Sequence, residues 1–338
     1  MKDFISIIIT NYNGKKWLKE CFDSIKNQSH KNFEVIFVDN NSVDDSLEFV
    51  KKKYAWIKVV KNSFNAGFAE GNNVGLKYAT GDYIFLLNND AYFKDQNHLR
   101  KMLQGFKSIA NAGSIQSKII RTGEMDTLDT CGSYWTDTSV LYHYGCRQNQ
   151  GNKKFNKPMP IFSNKGASMM IKKEVIDKIG FFDKDFWSYY EDTDLCNRIW
   201  LSGYECWYYP KATTYHAVGE TSSLFDDSFI QFHNFKNKLM SFLKNFEIRV
   251  LIKILPIYFV LSVSLSLFWL LKGKWKHFLS IYKSFWWNIT HIKETLNKRK
   301  VIQSFREKKD AEIFRKVKRN PHIRYYYHLL SDLKNYED

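Results

Sequence analysis

The feature that most constrains the fold is an alternation of short apolar runs with segments of helical periodicity. Ile5 to Ile9, Glu34 to Val38 and Tyr83 to Leu87 are runs of this kind, typical of parallel strands that are buried on both faces. Between the first two runs, residues 15–27 repeat apolar side chains at helical spacing. Strands that alternate with helices predict an α/β fold, with a mostly parallel sheet and helices on both faces.

Polar residues follow these runs at Asn11, at Asp39 and at Asn88-Asn89-Asp90. Ligands of parallel sheets bind beyond the carboxyl ends of the strands, so we expect these side chains on one rim. Amides near Asn11 and the Asp39 carboxylate suit a nucleoside, although turns and helix caps use the same residue types. Asp90 suits Mg²⁺ or Mn²⁺ bound to a diphosphate, because these ions need few protein ligands when phosphates supply the rest.

A second acidic cluster, Glu191-Asp192, follows an aromatic segment, residues 186–190. A carboxylate beside an apolar wall can act as a general base, and acids also favour helix N-termini. We expect Asp90 and Asp192 to face each other across one cleft. His216 follows a strand-like segment and is a candidate metal ligand or phosphate contact, or a structural histidine.

Glycines recur every fourth residue at Gly67, Gly71 and Gly75. This spacing is not the fingerprint of a nicotinamide-binding Rossmann site. It leaves one helix face nearly bare, which allows close approach by a ligand or by neighbouring backbone.

The positive charge lies almost entirely in the last third of the chain. Residues 1–235 hold 29 basic and 27 acidic side chains, whereas residues 236–338 hold 22 and 8. The same third contains an uncharged run of 18 residues, 254–271, and then residues 275–289 with an aromatic face. This combination predicts attachment to an anionic membrane surface and no nucleic-acid partner. A single span and soluble packing remain alternatives.

The five cysteines form no C-x-x-C pair, which predicts reduced thiols rather than a disulfide framework or zinc site. Met1-Lys2-Asp3 leads directly into the first strand, so we expect no signal peptide. Both observations predict a cytoplasmic location.

Five motifs in this order resemble family 2 inverting glycosyltransferases, especially the bacterial rhamnosyltransferase-like branch. They lie within residues 7–13, 38–42, 65–73, 86–90 and 191–195. The resemblance covers roughly residues 4–225. It implies a GT-A fold, a donor sugar linked to UDP or dTDP, and Mg²⁺ or Mn²⁺ as the cofactor.

The resemblance also implies roles for individual residues. Asp192 would be the catalytic base with Glu191 as its neighbour, and Asp90 and His216 would hold the metal. Asn88 stands where the family's D-x-D motif has its first aspartate. The implied donor-binding residues are Thr10, Asn11, Tyr12, Asp39, Asn65, Gly67, Asn72, Asn88 and Asn89. The implied acceptor-binding residues are Trp187, Tyr189 and Tyr190.

We therefore expect a donor-binding half over 1–105, an acceptor and base half over 106–235, and a basic, helical, membrane-associating region over 236–338. The enzyme would act at the cytoplasmic face of the membrane, on a polyprenyl-diphosphate-linked or other saccharide acceptor of cell-surface polysaccharide synthesis. The Q-x-x-R-W signature of processive synthases is absent. Alternatives are a nucleotidyltransferase on a similar sheet and a non-catalytic carbohydrate- or membrane-binding module.

Overall fold

The computed structural model describes residues 3–124, 127–219 and 222–330. Its strands are β1 (Ile5–Asn11), β2 (Phe33–Asp39), β3 (Lys58–Lys61), β4 (Tyr83–Leu87), β5 (Ala91–Tyr92), β6 (Ala112–Arg121), β7 (Leu128–Thr130), β8 (Ser133–Tyr134), β9 (Tyr142–His143), β10 (Met159–Pro160), β11 (Ser168–Lys172) and β12 (Glu205–His216). All except β8 and β9 belong to one sheet.

The main path of that sheet runs β10-β12-β6-β11-β4-β1-β2-β3. Strands β1 to β4 are parallel to one another. Strand β11 joins them antiparallel to β4, and β6 pairs antiparallel with β11 and parallel with β12. The short β5 pairs with the end of β12, which places Ala91 opposite His216. One continuous sheet thus links the two halves expected from the sequence.

Helices cover both faces of the sheet. They are α1 (Lys15–Lys26), α2 (Ser46–Lys53), α3 (Gly67–Leu76), α4 (His98–Ser108), α5 (Lys173–Ile179), α6 (Glu191–Leu201), α7 (Asp227–Asn245), α8 (Ile248–Leu271), α9 (Trp275–Thr290), α10 (Ile292–Ser304), α11 (Asp310–Val317) and α12 (Arg324–Leu330). Alternate side chains of β1 pack into two different hydrophobic cores. Ile7 packs in the core that contains buried α1 and α4 residues, and Ile8 packs in the core that contains buried α6 and α7 residues.

The predicted α/β fold class, a GT-A-type sheet with helices on both faces, is confirmed. The glycine-rich helix α3 begins at Gly67. Strand β12 passes through Pro210 and continues to His216, because a register shift between Tyr209 and Thr213 accommodates the proline.

The C-terminal region is helical, as expected, and part of it is integral to the fold. In α7, Lys244 Nζ lies 2.7 Å from Asp183 Oδ2, and Asn245 Nδ2 donates to Asp194 Oδ1 at 2.8 Å. Arg299 of α10 donates to the Phe246 carbonyl. Helices α7 and α10 therefore stabilise the segment that contains the acidic cluster.

Helices α8 and α9 pack against each other and leave a large apolar surface exposed. Val260 is 64%, Leu267 49% and Trp286 67% exposed. Among the described residues, α8 is the one helix long and apolar enough to cross a membrane, and 22% of its most apolar window is buried. We call this exposed surface of α8 and α9 the apolar hairpin face.

Candidate functional site

The carboxyl ends of the parallel strands form a hydrogen-bonded polar rim. Asn89 Nδ2 donates to Asn11 Oδ1 at 2.6 Å, and Asn11 Nδ2 donates to Asp39 Oδ1 at 3.2 Å. Asp39 Oδ2 also accepts the Ser42 backbone N–H at 3.0 Å. Each of the three side chains follows or ends a different parallel strand, and their meeting on one rim is what parallel topology predicts.

A cavity of about 300 Å³ opens above this rim. Its walls come from the ends of β1 and β4, the start of α3, the segment before β11 and the aromatic segment before α6. The lining includes many of the residues implied by the resemblance, namely Thr10, Asn11, Tyr12, Asn65, Gly67, Asn88, Asn89, Trp187, Tyr189, Tyr190, Glu191 and Asp192. We call it the donor cavity, after the donor-binding residues that the resemblance implies.

Four implied site residues do not line the donor cavity. Asp39 is fully buried behind Asn11, where its carboxylate holds the Asn11 amide. Asn72 donates to the Phe68 carbonyl within α3. Asp90 and His216 are buried as a pair beside Asn88. Asp192 lines the cavity, and the buried Asp90 directly follows the cavity-lining residues Asn88 and Asn89 in the chain, so the arrangement of Asp90 and Asp192 across one cleft stays a prediction.

Asp192 is held as a carboxylate at the start of α6. Its Oδ2 accepts the Gly166 backbone N–H at 3.1 Å, and its Oδ1 accepts the Thr193 backbone N–H at 2.6 Å. Burial raises the pKa of Asp192, and the hydrogen bonds to the charged form limit that rise. A raised pKa on a cavity-lining carboxylate is suited to proton abstraction.

Glu191 is the more deeply buried member of the acidic pair, at 8% exposure. Burial and then the Asp192 charge raise its pKa well above the ordinary value. Its Oε2 has no hydrogen-bond partner within the described ranges. Burial and the neighbouring charge thus disfavour ionisation of Glu191, whereas the backbone N–H donors favour the charged form of Asp192.

The aromatic segment before α6 is held in an unusual backbone conformation. Trp187, Tyr189 and Tyr190 have φ of 61°, 74° and 68°, which costs energy for residues with side chains. Asn237 of α7 fixes this segment, because its Nδ2 lies 2.9 Å from the carbonyls of Phe186 and Ser188 and 2.6 Å from that of Tyr189. The strained segment places three aromatic side chains on the cavity wall.

Gly67 shows why a glycine is needed beside this segment. Its φ is +73°, and a Cβ added there would lie 2.4 Å from the Trp187 carbonyl oxygen. No residue with a side chain fits without moving the Trp187 backbone. The glycine spacing predicted a helix face without side chains. At Gly67 this face allows the Trp187 backbone to lie close to α3.

The Asp90 and His216 pair has the chemistry of a divalent metal site. Asp90 Oδ1 is buried without a hydrogen-bond partner in the described part of the chain, and it lies 3.3 Å from His216 Nε2. A carboxylate suits Mg²⁺ or Mn²⁺, and a neutral imidazole is a common metal ligand. No group of three or more His, Cys, Asp or Glu side chains able to hold a metal occurs among the described residues, so these ligands fit an ion that a diphosphate also binds.

Asp129 and Lys165, which the sequence analysis missed, support His216 from behind. His216 Nδ1 lies 2.9 Å from Asp129 Oδ2, and Lys165 Nζ lies 2.6 Å from the same oxygen. Burial lowers the pKa of His216, but the Asp90 and Asp129 carboxylates outweigh burial and raise it to about 9. A carboxylate partner on the far nitrogen is the arrangement that orients a metal-binding imidazole.

Fold and site together define a glycosyltransferase of the GT-A type, with a ligand cavity at the strand ends and a carboxylate on its wall. The chain belongs to glycosyltransferase family 2, since residues 6–180, just over half of its length, match the family described as "Glycosyl transferase family 2". Residues 148–222 also match the family described as "N-terminal domain of galactosyltransferase".

Two curated relatives and one solved structure show the range of similar proteins. The Escherichia coli UDP-Glc:alpha-D-GlcNAc-diphosphoundecaprenol beta-1,3-glucosyltransferase WfaP is 34% identical over 115 residues, 32% of this chain and 46% of that protein. The poly(ribitol-phosphate) beta-glucosyltransferase of Bacillus spizizenii is 36% identical over 102 residues, 28% of this chain and 16% of that protein. The chain thus spans less than half the length of these relatives.

The solved structure is a mannosyltransferase from Pyrobaculum calidifontis in complex with GDP-Man and Mn²⁺. Its TM-score is 0.51 at 15% identity, with 85% of this chain and 75% of that chain covered. This likeness supports the fold.

Proposed function

We propose that the protein is a metal-dependent inverting glycosyltransferase that moves a sugar from a UDP- or dTDP-linked donor to a lipid-linked saccharide acceptor. The observation that carries this proposal is the position of Asp192, a hydrogen-bonded carboxylate of raised pKa on the wall of the donor cavity. A nucleotidyltransferase would not need such a base opposite the strand ends. A binding module would not need a carboxylate held in this state.

The donor nucleotide would lie along the polar rim. Asn11 and Asn89 present amides from two strand ends, and Tyr12 adds a ring on the same wall. The buried Asp39 would position the Asn11 amide rather than touch the donor. The sugar would then extend toward Trp187 and Asp192 on the opposite wall.

In the proposed mechanism, Asp192 removes the proton from an acceptor hydroxyl, and the resulting oxygen attacks the anomeric carbon from the face opposite the nucleotide. One bond forms as the bond to the diphosphate breaks, so the configuration inverts. Glu191 stays protonated and keeps the negative charge on Asp192. Mg²⁺ or Mn²⁺ held by Asp90 and His216 would supply charge neutralisation of the departing diphosphate.

The acceptor and location follow from the C-terminal region. The apolar hairpin face carries exposed tryptophan and aliphatic side chains, as interfacial membrane helices do. The strong excess of basic residues in 236–338 favours anionic lipid. WfaP is named for a lipid-linked acceptor. These features support action on a polyprenyl-diphosphate-linked saccharide at the cytoplasmic membrane face, within cell-surface polysaccharide synthesis.

A thermal-shift panel of nucleotide sugars, each with and without Mn²⁺ or Mg²⁺, tests the donor assignment. A bound donor stabilises the fold by mass action, so we expect a UDP- or dTDP-sugar to raise Tm, and to raise it more when metal is present. Asp90→Asn should abolish the metal-dependent part while leaving the apo Tm close to that of the wild type. A panel in which no nucleotide sugar raises Tm would refute the proposal.

A further inference from the structure

A second cavity, of about 280 Å³, adjoins the donor cavity. Asp192, Tyr190 and Asn234 line both cavities. The other walls of the second cavity are formed by Val140, Leu141, His143, Thr193, Phe235 and Lys238. Because the base is reachable from both sides, a molecule in the second cavity can present a hydroxyl to Asp192 while a donor fills the first.

Lys238 places an amino group without an oxygen partner on the wall of this second cavity. Across residues 3–124, 127–219 and 222–330 its ammonium forms no hydrogen bond or ion pair, and it lies 5.7 Å from the Phe242 ring centroid and 5.5 Å from that of Tyr258. The other lysines of α7 do have oxygen partners: Lys236 contacts the Asp185 carbonyl and Lys244 contacts Asp183. Lys238 is therefore the exception on its helix.

Burial lowers the pKa of the Lys238 ammonium to about 7, because removal from water disfavours the charged form. A charged group in this position is costly unless an anion pairs with it. The nearby His143 does not compete for an anion, since burial lowers its pKa to about 4 and its Nδ1 shares a hydrogen bond with Ser133 Oγ at 2.9 Å. A bound anion would pair with the Lys238 ammonium and stabilise its charged form.

We propose that Lys238 forms a phosphate-binding subsite for the acceptor. Its ammonium binds a phosphate or diphosphate group of the acceptor, while a sugar or polyol hydroxyl of the same molecule reaches Asp192. This inference rests on the proposed function and names a part of its acceptor site. The second cavity is lined by the Asp192 carboxylate, which would accept a proton, and by the Lys238 ammonium, which would bind an anion. The hydroxyl end of the acceptor would therefore lie at Asp192 and its phosphate end at Lys238.

Two further observations support a phosphorylated acceptor. Tyr258, whose ring lies under the Lys238 ammonium, belongs to α8, the first helix of the apolar hairpin face. The subsite therefore lies against the buried side of the same helix whose exposed side forms part of the apolar hairpin face. In addition, both curated relatives described above are named for acceptors that contain phosphate, a diphospholipid in one and a polyol phosphate in the other.

The test is acceptor binding by calorimetry with the full chain in detergent. The probes are a short-chain prenyl diphosphate carrying N-acetylglucosamine, the same lipid and sugar joined without phosphate, and oligo(ribitol phosphate). We expect the wild type to bind at least one phosphorylated probe more tightly than the neutral one. The phosphorylated probe that binds better identifies the source of the phosphate.

Lys238→Met should weaken binding of that phosphorylated probe by about tenfold to a hundredfold, the usual range for losing a hydrogen bond to a charged group. Binding of the neutral probe should not change, and Lys238→Arg should retain most of the affinity. Lys52→Met, at an exposed position of α2 outside both cavities, is the matched control and should behave as the wild type.

Equal affinity of Lys238→Met and wild type for the phosphorylated probe would overturn the subsite, as would a wild type that binds the probes equally or binds none. Failure of the proposed function is recognised separately. In that case the wild type gives no thermal shift with any nucleotide sugar. If only the subsite is wrong, the nucleotide-sugar shift persists and remains the same in Lys238→Met.

Discussion

Replacing Asp192 with asparagine isolates proton abstraction from the other functions of the site. The carboxylate accepts one N–H from Gly166 and one from Thr193. Asparagine retains one acceptor oxygen and places an NH₂ against the other N–H, which costs about 1.5–3 kcal/mol for a lost hydrogen bond to a charged group. Removing a buried charge of raised pKa offsets part of this cost. The folded state should therefore persist with a moderate loss of stability at most.

Turnover should respond far more strongly. A general base contributes at least about a hundredfold, which corresponds to about 2.7 kcal/mol of activation free energy. We expect kcat of Asp192→Asn to fall by at least about this factor while the donor-induced thermal shift is retained. The rate is measured as release of nucleoside diphosphate in the presence of acceptor, and Tm is recorded for both proteins.

Glu191→Gln is the matched control, because it makes the same carboxyl-to-amide change at the adjacent residue. Burial and the Asp192 charge raise the pKa of Glu191 well above its ordinary value and so favour the protonated form; glutamine resembles that form and should preserve turnover. Ionisation of a carboxyl whose pKa is raised by folding opposes folding, so Glu191 should destabilise the wild type increasingly as pH rises. The stability of Glu191→Gln relative to the wild type should therefore increase with pH. Near wild-type turnover in Asp192→Asn, or equal losses in both variants, would refute the assignment of the base.

Two further predictions concern the scaffold and the membrane. Asp194→Asn should lower the free energy of unfolding by about 3–5 kcal/mol in urea denaturation, because the buried Asp194 carboxylate pairs with Arg198 at 3.0 Å and the substitution leaves that charge unpaired. A double variant, Val260→Glu with Trp286→Glu, should move the protein from floating liposomes of anionic lipid to the soluble fraction, because it places charges on the apolar hairpin face.

Each of these predictions has a control elsewhere on the surface. Asp177→Asn removes an exposed ion pair with Lys173 and should change stability by less than about 1 kcal/mol. A loss in Asp194→Asn no larger than this would contradict the buried network. Trp56→Glu changes an exposed apolar residue at 41% exposure and should leave flotation unchanged. Continued flotation of the double variant would contradict membrane attachment through α8 and α9.

The polar rim could be predicted from sequence because two local signals coincide there. Apolar runs mark the strands, and Asn11 and Asn89 follow them directly in the chain. Parallel topology then brings successive strand ends to one edge. The acidic pair was predictable for a similar reason, since three acids near a helix start exceed what capping alone explains.

The layers behind the rim were not predictable in the same way. Asp39 follows the strand pattern, yet it is buried and holds Asn11, because burial depends on packing that no local pattern contains. Asp129 and Lys165 lie 36 positions apart in an irregular stretch, and their pairing depends on the paths of β7 and β11. The one sequence signal for Lys165 was its place next to Gly166, shortly before β11.

The C-terminal region shows the same limit. Its charge and aromatic content predicted helices and a membrane-facing surface, but not that Asn237 and Lys244 of α7 would hold the segment before α6. These contacts join residues 48 and 61 positions apart. Deleting the region would therefore disrupt the catalytic domain, which is why surface substitutions are the appropriate test of membrane attachment.

The stereochemistry of a single transfer tests the central claim most directly. A nucleotide sugar of α configuration is incubated with the wild type, metal and the acceptor, and the anomeric proton of the isolated product is observed by NMR. One displacement assisted by Asp192 predicts a β-linked product. An α-linked product would contradict the account, because retention requires two displacements or attack from the face of the departing nucleotide.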